Sequence, residues 1–223
     1  MRSYLWLEEY CLNRFGSRAA MEARLPVPAR DEQLRQLSND RYLSTLALRV
    51  FRAGLKHSLV DAKWPAFEQA FFGFDPEKVV LMGAEHIERM MQDARLIRHL
   101  GKLRSVPRNA QMILDISQEH GSMGSFIADW PVTDITGLWR LIARRGNQMG
   151  GLSAPRYLRM LGKDTFVPSD DVVAALKAQG VVDKVPSSQR DLAATQAAFN
   201  QWHAESGRPL CQLSVMLGHT VNH

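Results

Sequence analysis

The sequence predicts an all-α protein. Apolar residues recur at the three- and four-residue spacing of helices in several stretches along the chain. No stretch alternates apolar and polar residues for long enough to indicate a β-sheet. Breaks rich in glycine and proline separate the helical stretches. Together with typical helix lengths, these breaks predict about ten short helices.

The helices are placed in chain order by their apolar positions and by their ends. Helical spacing is found at Leu43, Leu46, Ala47, Val50, Phe51 and Gly54, at Ile87, Met90 and Met91, at Ile135, Leu138, Trp139 and Ile142, at Leu192, Gln196, Phe199 and Trp202, and at Leu210, Leu213, Met216 and Leu217. Asp75-Pro76-Glu77 predicts a helix start, because Asp caps helices and Pro is tolerated in their first turn. Breaks are expected at Pro26–Pro28, Phe72–Phe74, Gly121–Gly124, Gly146–Gly151, Phe166–Pro168 and Pro186–Ser188.

The composition is that of an ordinary globular protein. The 223 residues are 45% apolar and 23% charged, which excludes a wholly disordered chain. No apolar run approaches the roughly 20 residues that span a bilayer, and acids at Glu8 and Glu9 argue against a signal peptide. Two cysteines, Cys11 and Cys211, are too few for a disulfide framework, a four-cysteine zinc site or an iron–sulfur cluster. We therefore expect a cytoplasmic protein with no cofactor and no membrane partner.

Positive charge is concentrated in two parts of the chain. Lys and Arg number 28 against 23 acids, for a net charge of +5. Stretches without any acid carry Arg95, Arg98, Lys102, Arg104 and Arg108, and then Arg140, Arg144, Arg145, Arg156, Arg159 and Lys163. Segregation of this kind predicts a positive face that binds a polyanion. The alternative is that these side chains do no more than solvate helix surfaces.

The segment from Gly150 to Val173 carries the most specific signal. It predicts a glycine turn, a short amphipathic helix, a loop, and a second helix that opens at Ser169 or Asp170. A glycine turn before a helix lets backbone N–H groups bind a phosphate, and the nearby basic side chains Arg144, Arg145 and Arg156 strengthen such a contact. An ionised carboxylate at the second helix start suits a reaction with an oxocarbenium-like transition state. The alternative is that this Asp is a plain helix cap.

The same segment resembles the hairpin and catalytic-aspartate loop of the helix-hairpin-helix DNA glycosylase superfamily. The residues that carry the resemblance are Lys163-Asp164-Thr165-Phe166-Val167-Pro168-Ser169-Asp170-Asp171. They are most similar to the inducible alkylation-repair 3-methyladenine glycosylases. The resemblance places the catalytic aspartate on Asp170, with Asp171 as the neighbouring alternative. It also places the DNA-anchoring hairpin on Gly150, Gly151, Leu152 and Ser153.

A second resemblance, to the type I 3-methyladenine DNA glycosylases, covers the middle of the chain. It rests on Phe71 to Val79, Ile87-Glu88, Asp93 to His99, Gly101-Lys102 and Asn109-Ala110. Together the two resemblances cover roughly Tyr42 to Gly180. They imply a helix-hairpin-helix DNA glycosylase fold with two helical lobes and a cleft between them. We expect one glycosylase-like unit over 1–223, with lobes at 30–115 and 116–223 and with 1–29 joined to the second.

The resemblance implies a function in DNA repair. The chain is expected to flip an alkylated purine of the 3-methyladenine type out of double-stranded DNA and to hydrolyse its N-glycosidic bond. Ser153 or its neighbour Leu152 stands where lyase-type members carry a nucleophilic lysine, so a monofunctional enzyme without strand cleavage is expected. No obligate protein partner is evident, and a bacterial source would place the enzyme at the nucleoid.

The base pocket departs from the type I pattern. Arg49 stands where those enzymes carry the glutamate that recognises the methylated base, and His57 stands at their pocket tryptophan. The pocket candidates are Tyr42, Arg49, His57 and Trp64, with Asp61 beside them. The type I terminal zinc site is not expected, and the His219 and His223 pair is interpreted as incidental.

Two other function classes remain open. The first is a non-catalytic helix-hairpin-helix DNA-binding protein that has lost base excision, which the residues at positions 49 and 57 favour and the presence of Asp170 disfavours. The second is a helical protein that binds a small molecule or another protein and has no nucleic-acid role.

Overall fold

A computed structural model describes residues 1–221, and no strand is found among them. The helices of this part of the chain are α1 (Tyr4–Phe15), α2 (Arg18–Glu22), α3 (Asp31–Gln36), α4 (Asn39–Arg52), α5 (His57–Ala70), α6 (Pro76–Val79), α7 (Ala84–Gln92), α8 (Leu100–His120), α9 (Met123–Asp129), α10 (Ile135–Arg145), α11 (Ser153–Leu161), α12 (Asp170–Ala178), α13 (Gln189–Ser206) and α14 (Leu210–Gly218). The all-α prediction is confirmed. The helices outnumber the ten expected, because short helices such as α2, α3 and α9 give no periodic signal.

The chain divides into two compact units. The central unit consists of Arg30–Trp130 and Arg140–Leu161. The terminal unit consists of Met1–Ala29, Pro131–Trp139 and the chain from Gly162 onward. Residues 116–130 and the hairpin residues therefore group with 30–115, whereas the predicted lobes join them to the C-terminal part of the chain.

The central unit is built around α4. This helix packs against α5, α8 and α11, and its buried face carries Tyr42, Leu43, Leu46, Val50 and Phe51, as the apolar spacing predicts. The hydroxyl of Tyr157 on α11 donates a hydrogen bond to the carbonyl oxygen of Tyr42 at 3.2 Å. The packing of α11 on α4 is the physical reason that the hairpin belongs to the central unit.

The terminal unit is built around α14, which packs against α1, α12 and α13. Its core contains stacked aromatic rings, with Phe166 and Phe199 parallel at a centroid distance of 4.1 Å. Trp202 lies edge-on to Phe199 at 5.5 Å. Trp139, which the sequence assigns to the core, is 5% exposed. This apolar core fixes the loop that leads into α12.

Most of the predicted helix ends agree with the structure. The Asp75 side chain accepts a hydrogen bond from the backbone N–H of Glu77, with Pro76 in the first turn of α6. The break predicted at Gly121–Gly124 ends earlier than expected, because Gly124 lies inside α9. A Cβ at Gly124 would lie 2.7 Å from the carbonyl oxygen of Leu34, so the glycine permits the close packing of α9 on α3.

Within the described residues, no helix is both long enough and apolar enough to cross a membrane.

Candidate active site and nucleic-acid interface

The hairpin lies between α10 and α11. Gly150 and Gly151 are exposed, and Gly151 has a φ of +57°, a backbone conformation that glycine adopts without strain. The backbone N–H of Ser153 donates to the carbonyl oxygen of Gly150 at 3.1 Å and closes the turn at the start of α11. Leu152 is half-buried and Ser153 is buried. The order of glycine turn and helix is therefore as predicted.

A buried asparagine holds this hairpin in place. The Asn109 side chain on α8 donates to the carbonyl oxygen of Asn147 at 3.1 Å and accepts from the backbone N–H of Asn147 at 2.7 Å. Asn109 is fully buried. An amide that satisfies both backbone groups of one loop residue fixes the position of that loop. The sequence gives a weak signal for this role, an asparagine between the apolar positions Val106 and Ile113 of α8.

The three arginines predicted around the hairpin differ in their surroundings. Arg144 and Arg156 are exposed and pair with no carboxylate among the residues that the structure describes. Arg145 forms a bidentate salt bridge with Glu119, with nitrogen–oxygen distances of 2.7 and 2.8 Å. This ion pair neutralises much of the Arg145 charge. No spacing rule connects Glu119 with Arg145, so the sequence does not reveal the pair.

The other basic residues of the predicted positive face differ in burial and in ion pairing. Arg95 pairs with Asp93 at 2.7 Å, and both Lys102 and Lys163 are buried. Within the two acid-free stretches, the exposed arginines without an ion pair among the described residues are Arg98, Arg104, Arg108, Arg140, Arg144 and Arg156. All of them belong to the central unit. The central unit therefore carries the unpaired positive charge of these two stretches, which a polyanion would contact.

Asp170 is the first residue of α12, and its carboxylate is free. The cap of this helix is the neighbouring Ser169, whose hydroxyl accepts from the backbone N–H of Val172 at 3.4 Å. Asp170 is exposed, and its side chain has no hydrogen bond or ion pair among the described residues. The alternative in which Asp170 is a plain helix cap is therefore wrong, because Ser169 fills that role.

The loop before Asp170 is fixed by contacts inside the terminal unit. Both carboxylate oxygens of Asp164 accept from backbone N–H groups at the start of α14, those of Leu210 at 2.9 Å and Cys211 at 2.8 Å. The Trp139 indole donates to the Thr165 hydroxyl at 3.0 Å. The backbone N–H of Val167 donates to the hydroxyl of Ser214 on α14 at 3.1 Å. Asp170 is thus presented by a loop with little freedom to move.

Two of the pocket candidates are held in the central unit by hydrogen bonds. Tyr42 is fully buried, and its hydroxyl donates to the carbonyl oxygen of Leu34 at 2.7 Å. Burial raises the pKa of Tyr42 above its ordinary value. Trp64 donates to the Ser44 hydroxyl at 3.2 Å and stacks on Phe67 at a centroid distance of 5.0 Å. Both side chains have their polar atoms engaged by the protein.

His57 and Asp61 lie at the surface. His57 is the first residue of α5 and is exposed. The Asp61 carboxylate is paired with Arg52 at 2.7 Å. Neither residue makes a hydrogen bond or an ion pair with the buried candidates Tyr42 and Arg49 of α4 in the described part of the chain.

Arg49 is a buried cation without an acceptor. Its side chain is 5% exposed, and its Nε atom has no hydrogen-bond partner among the described residues. Burial lowers the pKa of Arg49, and the charges of Arg156 and Arg52 lower it further. Lys102, also buried, donates to the carbonyl oxygens of Phe51 at 3.2 Å and Ala53 at 2.5 Å at the end of α4. The sequence gives no signal for the burial of Lys102.

The cysteines are buried, and no metal cluster is found in the part of the chain that is described. Cys11 and Cys211 are buried free thiols, and burial raises the pKa of Cys11 to about 11. No group of three or more His, Cys, Asp or Glu side chains within 1–221 is arranged to hold a metal ion. His219 lies edge-on to the Phe15 ring, and His223 lies outside the described residues.

A comparison with protein families matches residues 33–150 to the methyladenine glycosylase family. The match spans 118 of the 223 residues, which is more than half of the chain. The chain belongs to the methyladenine glycosylase family. The matched range contains Arg49, Lys102, Asn109 and the hairpin as far as Gly150, and it ends before Asp170.

Two curated members of this family are similar to parts of the chain. DNA-3-methyladenine glycosylase 1 of Escherichia coli is 37% identical over 76 residues, which are 34% of this chain and 41% of that protein. DNA-3-methyladenine glycosylase of Haemophilus influenzae is 30% identical over 92 residues, which are 41% of this chain and 50% of that protein. The matches thus span half or less of the length of these curated relatives.

Solved structures show that the fold is that of helical DNA glycosylases. The 3-methyladenine DNA glycosylase I of Staphylococcus aureus has a TM-score of 0.51 at 24% identity, covering 69% of this chain and 90% of its own. The 8-oxoguanine glycosylase/lyase of Methanocaldococcus jannaschii has a TM-score of 0.55 at 12% identity and covers 96% of both chains. The likeness to the M. jannaschii structure covers nearly the whole chain, so the glycosylase fold extends beyond the residues 33–150 of the family match.

Proposed function

We propose that this protein is a monofunctional DNA glycosylase that hydrolyses the N-glycosidic bond of alkylated purines in double-stranded DNA. Family membership and the two relatives named as DNA-3-methyladenine glycosylases support this reaction class. The net charge of +5 is in keeping with a polyanionic substrate. The expected location is the cytoplasm, at the nucleoid in a bacterium.

The observation that carries the proposal is the free carboxylate of Asp170 on a fixed loop. Departure of a base leaves positive charge on the sugar, and a carboxylate near C1′ stabilises that charge or takes a proton from the attacking water. Asp164 in the same loop is held by two backbone N–H groups, whereas Asp170 has no partner among the described residues and is exposed. Asp170 is therefore the carboxylate that remains available for chemistry.

DNA binding is assigned to the central unit. The hairpin Gly150–Ser153 supplies backbone N–H groups to a phosphate, and Arg144 and Arg156 supply unpaired positive charge beside it. Arg145 contributes less, because it is already paired with Glu119. The M. jannaschii structural neighbour was solved with a 15mer DNA containing 8-oxoguanine, which agrees with DNA as the partner. The alkylated base is reached by flipping it out of the stack.

The absence of a lysine in the hairpin predicts hydrolysis without strand cleavage. Lyase chemistry needs an amine that forms a Schiff base with the sugar. Ser153 and Leu152 provide none, and the Ser153 side chain is buried. Water is therefore the nucleophile, and the product is an intact strand with an abasic site.

The test is incubation with duplex DNA that carries both methylated and etheno-bridged purines. We expect free alkylated bases by mass spectrometry, and strands that break only after treatment with hot alkali. Strand breaks without alkali would contradict the monofunctional assignment. Salt-dependent DNA binding with no base release would favour the non-catalytic binding protein, which the unusual Arg49 makes the second candidate.

A further inference from the structure

Arg49 has the features of a binding group whose ligand comes from outside the chain. Arg49 is 5% exposed, its Nε atom is buried without a hydrogen-bond partner, and no carboxylate or carbonyl oxygen of the described residues accepts a hydrogen bond from its guanidinium. A buried charge without an acceptor costs free energy, and buried arginines are almost always paired. An unpaired buried arginine therefore marks a place that an acceptor occupies during function.

The surroundings of Arg49 are positive. Lys102 is fixed close by on the terminal carbonyl oxygens of α4, and Arg156 follows the hairpin on α11, which packs against α4. The charge of Arg49 lowers the pKa of Lys102 in addition to the larger effect of burial, and the charge of Arg156 lowers the pKa of Arg49. The helices α4, α8 and α11 thus each contribute one cation to the surroundings of the Arg49 side chain. A cationic ligand is repelled at this point and a neutral or anionic acceptor is attracted.

We propose that Arg49 reads the flipped base and selects alkylated purines that carry no positive charge and present a hydrogen-bond acceptor. This inference rests on the proposed glycosylase function and names its substrate class. It places 1,N6-ethenoadenine and similar uncharged lesions above the cationic N3-methyladenine and N7-methylguanine. Arg49 is on α4 within the range matched by the methyladenine glycosylase family, at the position where the resemblance places base recognition.

The burial of Arg49 distinguishes a base from a backbone phosphate as its ligand. Side chains that contact phosphates lie on the protein surface, as Arg144 does beside the hairpin. Arg49 is 5% exposed, so a phosphate of the DNA backbone does not reach it. A base that has been flipped out of the helix is the part of DNA that leaves the duplex and enters the protein, so it is the expected ligand of such a group.

The charge of Arg49 also suits the chemistry of an uncharged leaving group. When the bond between N9 and C1′ breaks, the bonding electron pair leaves with the base and water adds hydroxide to C1′. The remaining proton of that water ends on the base if the purine was neutral, and on the catalytic carboxylate or solvent if the purine was cationic. A neutral purine becomes negative before it takes up that proton, whereas a cationic purine becomes neutral. A fixed guanidinium that donates to an acceptor of the base stabilises the negative charge as it develops. Cationic bases gain nothing from this contact.

The experiment measures single-turnover release from two matched duplexes, one with 1,N6-ethenoadenine and one with N7-methylguanine. The proteins are the unmodified chain, Arg49→Met, Arg49→Glu and the control Arg89→Met, which removes an exposed charge of the same unit. We expect the unmodified chain to prefer 1,N6-ethenoadenine. Arg49→Met should slow its release at least about tenfold without slowing N7-methylguanine, Arg49→Glu should reverse the preference, and Arg89→Met should change neither rate.

A measurement of ligand binding tests the role of Arg49 independently of catalysis. Free 1,N6-ethenoadenine base should raise the melting temperature of the unmodified chain and of Arg89→Met, but not that of Arg49→Met. Arg49→Met itself should melt at or above the temperature of the unmodified chain, because it removes an unpaired buried charge. An equal ligand-induced shift in Arg49→Met would overturn the role of Arg49, whether or not any base is released.

The outcomes separate the inference from the proposed function. Preferred release of N7-methylguanine, unchanged in Arg49→Met, overturns the substrate class and leaves the glycosylase in place. Release of neither base overturns the proposed function, and the binding readout then decides the role of Arg49. An equal decrease in affinity for undamaged and damaged duplexes in Arg49→Met would assign Arg49 to phosphate binding and overturn the inference.

Discussion

At the residue scale, two carboxylates of one loop have opposite surroundings. Asp164 accepts two backbone hydrogen bonds at the start of α14, and Asp170 accepts none from the described residues. The backbone contacts hold Asp164 in one orientation and give it a structural role. Asp170 is exposed and is the residue that we propose contacts the substrate. The sequence motif contains both residues, and the structure is needed to separate their roles.

Substitution of Asp164 tests this division of roles. Asp164→Ala leaves two N–H groups at the start of α14 without an acceptor, and the loss of a helix cap costs about 1–2 kcal/mol. Asp170→Asn removes no contact of the described residues and should change the free energy of unfolding by less than about 0.5 kcal/mol. Chemical denaturation of both variants makes the measurement. Equal destabilisation by the two substitutions would contradict the assignment.

The sequence identifies candidate site residues more readily than it reveals which groups surround them. The resemblance places Arg49 and Asp170 at functional positions from the sequence alone. Whether each side chain is paired depends on residues far away in sequence, as Glu119 shows for Arg145. The burial of Lys102 is equally unpredictable from the sequence. The other basic residues of its stretch are exposed, and its partners are carbonyl oxygens of the backbone. Such tertiary contacts leave no local pattern in the sequence.

At the element scale, the hairpin depends on α8 as well as on its own glycines. Asn109→Ala should remove both hydrogen bonds with Asn147 and cost about 1–3 kcal/mol, because a backbone donor and acceptor are left without a partner. It should also weaken DNA binding, measured by fluorescence anisotropy. The control is Gln111→Ala, an exposed amide on the same helix. Binding that is unaffected in Asn109→Ala would show that the hairpin keeps its position without the clamp.

The end of α14 should be sensitive to acid. Burial lowers the pKa of His219 below its ordinary value, and Arg14 and Arg24 add to this effect, while Asp171 opposes it. As the pH falls through about 6.5, the unfolded chain takes up the proton before the folded chain does. The stability is therefore complete above that pH and is lost as the pH falls further towards the lower folded pKa. Melting curves from pH 8 to 5 should fall less steeply for His219→Gln than for the unmodified chain.

The element pattern was largely predictable because it depends on local spacing. The helices α4, α7, α10, α13 and α14 lie where the apolar spacing of the sequence predicts them. The short helices α3 and α9 owe their form to packing against each other, which Gly124 permits. Tertiary packing of this kind cannot be derived from a window of a few residues.

At the scale of the whole molecule, the charge distribution predicts how DNA binding responds to salt. Removal of one cation that binds a phosphate should lower the slope of log K against log salt by about 0.9. Arg144→Ala should show a change of this size, because Arg144 is exposed and unpaired in the described residues. Arg145→Ala should show a smaller change, because Glu119 already compensates its charge. Equal changes in slope for the two variants would contradict this ranking.

The most direct test of the account is single-turnover base release by the unmodified chain, Asp170→Asn and Asp171→Asn, with duplex affinity measured beside it. We predict that Asp170→Asn lowers the release rate about 10²–10³-fold, because the substitution removes one electrostatic stabilisation of the transition state. DNA affinity should be unchanged, and Asp171→Asn should retain release. Full activity of Asp170→Asn would contradict the central claim that this free carboxylate carries the chemistry.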